Sequence, residues 1–240
     1  MKTKHLLINV VLLAALLLAG CKPKPVLRVG ELKTESQSVE LGDAKSVSVK
    51  IKIGAGDLKV NGGAEKLLGA DFTYNVAELK PEVKFTGGTL VIWEPGNEGP
   101  IDWRGITDFR NEWSLRFNNE LPMDLSVEIG AGSGNLQLAG LSLTSLNVTL
   151  GAGKSTVDLS GDWVRDLDVS INTGAANTTL KLPTNVGVRV EIEPGPNVIE
   201  ATGLTQDGNV YTNAAYGVSD VTMQISMEPG IGQINLESSE

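Results

Sequence analysis

The chain of 240 residues contains 28 Gly, 10 Pro, one Cys and one His, is 41% hydrophobic and 5% aromatic, and carries a formal charge of −9. This length and balance give one large or two small domains with a real core, and exclude both a disordered chain and a multi-span membrane protein. A single cysteine excludes an intrachain disulfide, and a Cys/His zinc site or a His-based nucleophilic triad would have to borrow His5 from a leader segment.

Residues 1–20 read as that leader. Lys2 and Lys4 form a cationic start, and an apolar run from Leu6 to Ala19 follows, broken by Asn9. The run is shorter than the ~20 residues of a membrane-spanning helix, so a cleaved signal peptide is the better reading. Leu18-Ala19-Gly20-Cys21 resembles the lipobox of bacterial lipoproteins, in which the leader is cut before the cysteine and the thiol receives a diacylglycerol thioether. Cys21 is therefore the expected lipidation site, and two or more acyl chains there tie the mature protein stably to a membrane. Removing the leader leaves 18 basic and 29 acidic residues, a formal charge of −11. Such a surface repels nucleic-acid phosphates and excludes nucleic acid as a partner. The expected location is extracytoplasmic, on a bacterial envelope, with envelope proteins or glycans as the available partners.

Residues 21–40 are polar, contain Pro23 and Pro25, and read as a linker. Residues 41–120 read as an N-terminal β region. Val47, Val49, Ile51 and Ile53 alternate with polar residues, Leu58 and Val60 resume the alternation after Gly54-Ala55-Gly56, and Phe72, Tyr74 and Val76 repeat it. Leu90 to Trp93 is a further apolar run, after which 95–118 reads as an irregular loop rich in Gly, Pro and Asn. This loop and the residues beside it hold the candidate ligand-binding residues. Trp93 and Trp103 are indoles of the kind that stack on sugar faces, and Asp102 and Asp108 lie beside them. Trp113 and Phe117 read instead as a plug on the end of the core. Carboxylates are the remaining acid/base groups, so the enzymatic alternative is a glycan-active β-helix hydrolase or lyase using Asp102, Asp108, Glu112 and Glu120.

Residues 121–240 contain an internal repeat. Leu125, Leu146, Leu167 and Val188 recur every 21 residues, as do Val127, Val148, Val169 and Val190, and Ile129, Leu150, Ile171 and Ile192. Gly132, Gly153, Gly174 and Gly195 follow in the same period. Leu136 and Val157, then Leu138, Leu159 and Leu180, supply a second strand, with Gly140 and Gly161 at the next corner. Two strands in about 21 residues cannot bury an apolar face alone, but stacked copies can. The predicted fold is thus all-β, a parallel β-solenoid of two-strand coils, with an antiparallel β-sandwich as the alternative. Ile53-Gly54-Ala55-Gly56 resembles Ile129-Gly130-Ala131-Gly132 and predicts related coils in the first half. Residues 223–230 resemble 188–195 displaced by 35, which reads as an insertion over Gln206 to Ser219. The Gly-Ala-Gly triplets read as turns rather than a phosphate loop, because no Lys-Ser/Thr follows at the required spacing. Asp162, Asp166 and Asp168 do not fit the nonapeptide period of calcium-binding solenoids. No cofactor or metal is expected.

In order along the chain, Tyr74-Asn75-Val76, Lys80-Pro81-Glu82-Val83, Asn111-Glu112-Trp113-Ser114-Leu115, Leu121-Pro122, Leu125 to Gly132, Gly151-Ala152-Gly153 and Leu182-Pro183 resemble the bacterial toast-rack family. Its repeats are related to the extracytoplasmic part of LiaF-like cell-wall-active antibiotic response proteins. The resemblance implies an envelope β-solenoid without catalytic residues at the matched positions and, for the LiaF-like branch, a part in an envelope-stress response. The lipobox in place of membrane-spanning helices sets this chain apart from that branch.

Overall fold

A computed structural model describes residues 28–95 and 107–238. Cys21, the leader, Asp102 and Trp103 lie outside the described residues.

The repeating unit is clearest in Met123–Gln137. Met123, Leu125, Val127 and Ile129 are buried while Asp124 and Glu128 face solvent; past Gly130-Ala131-Gly132 the buried positions become even-numbered, at Gly134, Leu136 and Leu138. The change of parity marks a corner that divides the strand into two limbs. Gly132 has φ of 133°, and a Cβ there would lie 1.9 Å from the Gly56 carbonyl oxygen, so only glycine lets adjacent corners stack this closely. Parallel neighbours ordinarily need a long crossover. Here the second limb is itself the crossover, and residues 138–142 suffice to return the chain to the next rung.

In chain order the strands are β1 (Val29–Val39), β2 (Val47–Asn61), β3 (Leu68–Val76), β4 (Glu82–Thr86), β5 (Thr89–Trp93), β6 (Asn111–Phe117), β7 (Met123–Gln137), β8 (Leu143–Asp158), β9 (Leu167–Lys181), β10 (Gly187–Ile192), β11 (Asn197–Thr202), β12 (Thr205–Asp207), β13 (Val210–Thr212) and β14 (Thr222–Glu237). They form one long mixed sheet that does not close. Five two-limbed strands, β2, β7, β8, β9 and β14, stack in parallel. This is a β-solenoid-like rack, and its parallel ladder rules out the antiparallel sandwich. Ile53 lies beside Ile129 and Gly56 beside Gly132, so the first half does contribute a related coil.

Two features of the 21-residue register are corrected. Leu125 pairs with Leu146 as the spacing predicts, but Leu146 pairs with Val169 and Val157 with Leu180, a step of 23. The return over 159–166 is longer than that over 138–142 and tucks in Trp163, whose Nε1 donates to the Leu159 carbonyl at 2.7 Å. An even slip leaves every side chain on its own face, so the core stays apolar. The row of Val188 does not lie on that of Leu167 either. β14 is inserted between them, placing Leu167 beside Met223 and Met223 beside Val188. The 35-residue likeness between 188–195 and 223–230 is this lateral pairing.

Both ends of the rack are built from split rungs. At the N-terminal end β5 pairs with the first limb of β2 and β6 with the second, β4 closes a hairpin on β5, β3 adds antiparallel to β6, and β1 adds antiparallel to β3. Residues 29–39 are therefore a strand rather than part of a linker. β1 lies at the sheet edge with both faces largely wet, so its sequence has no apolar alternation to read. Likewise the irregular loop ends earlier than predicted, because 111–117 is β6. At the other end β10 and β11 cover the two limbs of β14, and β13 with β12 caps β10. One continuous core runs from Val47 to Leu236 between the limbs, each fully buried aliphatic side chain stabilising it by about 1.5–3 kcal/mol.

Candidate binding surface

The split N-terminal rung has no Gly-Ala-Gly corner of its own. β5 stops at Trp93, β6 starts at Asn111, and the corner of β2 would be left with bare backbone groups. Glu94 and Asn111 satisfy them. The Gly54 N–H donates to Glu94 Oε2 at 2.9 Å, and Asn111 Nδ2 donates to the Ala55 carbonyl at 2.7 Å and to Glu94 Oε1. Asn111 Oδ1 accepts the Trp113 indole N–H at 2.9 Å. All three side chains are buried, and Trp113 packs edge-on against Phe72 with ring centroids 5.4 Å apart. Burial pushes the Glu94 carboxyl up to about 7, against the opposing pull of the Gly54 and Asn111 hydrogen bonds.

The chain re-entering β6 is held by Asn75. Its Nδ2 donates to the Asp108 carbonyl at 2.6 Å, and its Oδ1 accepts the Arg110 N–H at 2.8 Å. Asp108 is exposed and takes φ of 59°, a left-handed conformation that an aspartate tolerates at a cost. Arg110 pairs with Glu112 at 2.7 Å. Phe109, Arg110 and Asn111 face the Ala55-Gly56 and Ala131-Gly132 corners across an open cleft of about 390 Å³. Trp93 lies elsewhere, half-buried on the outer face of the first limb, between Lys52 and Glu82 in the ladder. Asp108 therefore precedes Phe109 in the chain without lining the cleft, and Trp93 lies on a different face. Trp113 and Phe117 plug the core as predicted. Sequence reasoning assigned no role to Asn75, Glu94, Phe109 or Arg110. A polar Asn between Tyr74 and Val76, all three buried, was the available signal.

A second, smaller trough of about 280 Å³ runs along the outer face of the first limbs. Short side chains, Ser145, Asn147, Ser170 and Ser226, floor it, and the Arg189–Glu191 ion pair at 2.9 Å walls one side. Such hydroxyls and amides exchange hydrogen bonds readily with hydroxylated molecules.

Among the described residues no helix is long and apolar enough to cross a membrane, and no group of three His, Cys, Asp or Glu side chains is placed to hold a metal ion. Asp162 and Asp166 instead accept hydrogen bonds from Asn185 Nδ2 at 2.6 Å and from the Thr222 N–H at 2.8 Å, stitching the returns together. Charge is divided along the rack. Residues 21–120 carry 14 basic and 15 acidic side chains, whereas residues 121–240 carry 4 basic and 14 acidic.

Stacked two-limbed strands, glycine corners and open polar faces define a rack-like β-solenoid module. Residues 28–181 match the family described as the N-terminal domain of toast_rack, DUF2154, and the chain belongs to that family. It is similar to a candidate cell adhesion protein from Clostridium sporogenes ATCC 15579 whose crystal structure is 31% identical, covering 87% of this chain and 100% of that one with a TM-score of 0.83. It also matches a candidate adhesin from Bacteroides fragilis NCTC 9343 at 11% identity, over 86% of this chain and 97% of that one, with a TM-score of 0.35. Among curated proteins none matches.

Proposed function

We propose that this protein is a non-enzymatic interaction module of a bacterial envelope, tethered through acyl chains on Cys21 and acting in adhesion. The observation that carries the reading is the likeness to the Clostridium sporogenes cell adhesion candidate, which spans that whole chain at 31% identity. The family match and the leader ending in Leu18-Ala19-Gly20-Cys21 support it. The described chain enters the rack at β1, the outermost strand of the N-terminal end, so a tether there turns the acidic C-terminal half away from the membrane. Across the second limbs nine strands at ~4.8 Å spacing give a reach of roughly 40 Å. The cleft at Phe109 and Arg110 is the proposed ligand surface. Asp108, next to Phe109 in the chain, is assigned to it by that proximity, and Asp102 and Trp103 on sequence alone.

Mass spectrometry of the membrane fraction tests the anchor: the wild type is expected to show a diacylated Cys21 at the mature N-terminus and Cys21→Ser a soluble chain. Beads coated with the protein, offered to a glycan array and to whole cells, test adhesion, and Arg110→Glu is expected to weaken capture at the cleft. Hydrolysis of any glycan that disappears in Asp102→Asn or Glu112→Gln would establish the enzymatic alternative instead. The stress-response role implied by the LiaF-like resemblance predicts an altered transcriptional response to a cell-wall antibiotic in a deletion strain.

A further inference from the structure

The two limbs of the rack end differently at the acidic end. On the first limb, β10 is covered by β13 and β12. On the second limb, β11 pairs with β14 and, among the described residues, with no other strand. The Thr202 carbonyl accepts the Ser238 N–H at 2.9 Å and so faces β14. In a strand the N–H and C=O of one residue point the same way and alternate along the chain. Ile199 and Ala201 therefore present their N–H and C=O groups outward, away from the sheet. Ile199 is half-buried and Ala201 exposed although both point toward the core side, so the apolar layer is also unfinished there.

Protein sheets normally protect such an edge with lysine, proline, a bulge or extreme shortness. At the opposite end β1 carries Lys33 and an irregular register between Val29 and Lys33, and β12 is only three residues long. Over Asn197–Thr202 β11 has no lysine, proline or bulge, Glu200 is its one charged side chain, and Val198 on its outer face is 62% exposed. Its surroundings are acidic: Glu200 lies on the strand and Glu193 just ahead of it in the chain, both are exposed, and neither is ion-paired among the described residues.

We propose that β11 is a docking edge for an extended segment of a partner protein that alternates basic and aliphatic residues, adding as one further strand to the second-limb sheet. Backbone groups of Ile199 and Ala201 supply the new ladder. Aliphatic residues on the inner side of the incoming strand cover Ile199 and Ala201, and a lysine or arginine on the outer side lies beside Glu200, about 5 Å across the ladder. A second copy of this chain fits worse, because edge-to-edge pairing through β11 brings two acidic halves together. The inference deepens the interaction-module reading and rests on it.

The probe is a fluorescent eight-residue peptide of alternating lysine and valine, with a glutamate–valine peptide as comparison, titrated into the full chain in detergent. The lysine peptide is expected to bind in a salt-sensitive manner, to shift the amide resonances of Ile199 and Ala201, and to bind at least about tenfold more weakly to Ala201→Pro. Proline there removes an outward N–H and leaves the β14 ladder intact. Glu200→Lys is expected to reverse the preference toward the glutamate peptide, and keeps the test decisive if Ala201→Pro unfolds. Equal binding by Ala201→Pro that is shown to be folded, resonance shifts confined to other strands, or no binding to the wild type overturns the proposal. So does sedimentation showing a wild-type dimer that Ala201→Pro makes monomeric, which would assign the edge to a second copy. Failure of the peptide test sinks the edge alone, whereas absence of adhesion by the wild type sinks the interaction-module reading without touching the peptide result.

Discussion

Val148 and Thr149 are chain neighbours on opposite sides of one sheet: Val148 is 1% exposed between Val127 and Ile171, while Thr149 faces water. Val148→Asp is expected to cost about 4 kcal/mol or more, because it buries a charge with no partner, and Thr149→Asp less than about 0.5 kcal/mol. Thermal melts of the two variants check the inside and outside assignment, and equal melting temperatures would contradict it. Glu94 gives a residue-scale prediction about pH. Its carboxyl is held at about 7 in the fold against an ordinary 4.5. Between those values the folded protein keeps a proton that the unfolded chain has released, so stability is fully present below pH 4.5 and is lost as pH rises through about 7. Urea denaturation at several pH values is expected to show that decline in the wild type and a flatter profile in Glu94→Gln. Glu35 works in the opposite sense. Hydrogen bonds from Lys80 and Tyr74 hold its carboxyl below the ordinary value, so what it contributes to fastening β1 onto β3 is lost as pH falls through the acid range.

An element of this fold is a strand with a corner in it, and the corner tolerates little. Gly132→Ala would place a methyl group 1.9 Å from the Gly56 carbonyl oxygen, with β2 fixed by its own ladder, so the stacked corners must separate. Gly140 has φ of 89°, and a methyl group added there would have no atom within 4 Å, so Gly140→Ala meets backbone strain alone. The expectation is a loss of about 1 kcal/mol for Gly140→Ala and several-fold more for Gly132→Ala, read from denaturant midpoints. This contrast also indicates what the sequence could and could not reveal. Corners and inward columns were legible, because glycine at a crowded backbone and alternation at period two leave direct chemical traces. The 23-residue step was hidden, since an even slip preserves the apolar pattern by which register is recognised. β1 was hidden because an edge strand wet on both faces has no period. The plug of Glu94 and Asn111 was hidden because those residues are 17 apart in the chain and meet only at a corner that the chain itself does not complete.

At the scale of the whole molecule, chain order and spatial order part company at both ends of the rack, and folding should reveal it at the acidic end. In a simple solenoid each rung docks on the one made just before it, so contacts are nearest-neighbour and stability accumulates along the chain. The rack follows that rule from β2 through β7 and β8 to β9. β10 then departs from it, because its parallel neighbour is β14, which lies beyond β11, β12 and β13 in the chain and sits between β9 and β10 in the sheet. Until β14 arrives, β9 has an apolar edge and β10 to β13 have only the small antiparallel hairpin they make among themselves. β14 is thus the keystone of the acidic half, although it is made after the strands it holds in place. Truncating the chain after Asp220 removes no residue from β10, β11, β12 or β13, yet those strands are expected to lose hydrogen-exchange protection together, while β2, β7 and β8 keep theirs. β9 is expected to become an exposed sheet edge that promotes aggregation. Full protection of Val188, Val190 and Ile192 in the truncated chain would mean that β10 docks directly on β9 with the 21-residue register of the sequence repeat, and that β14 is an addition to the rack rather than one of its rungs.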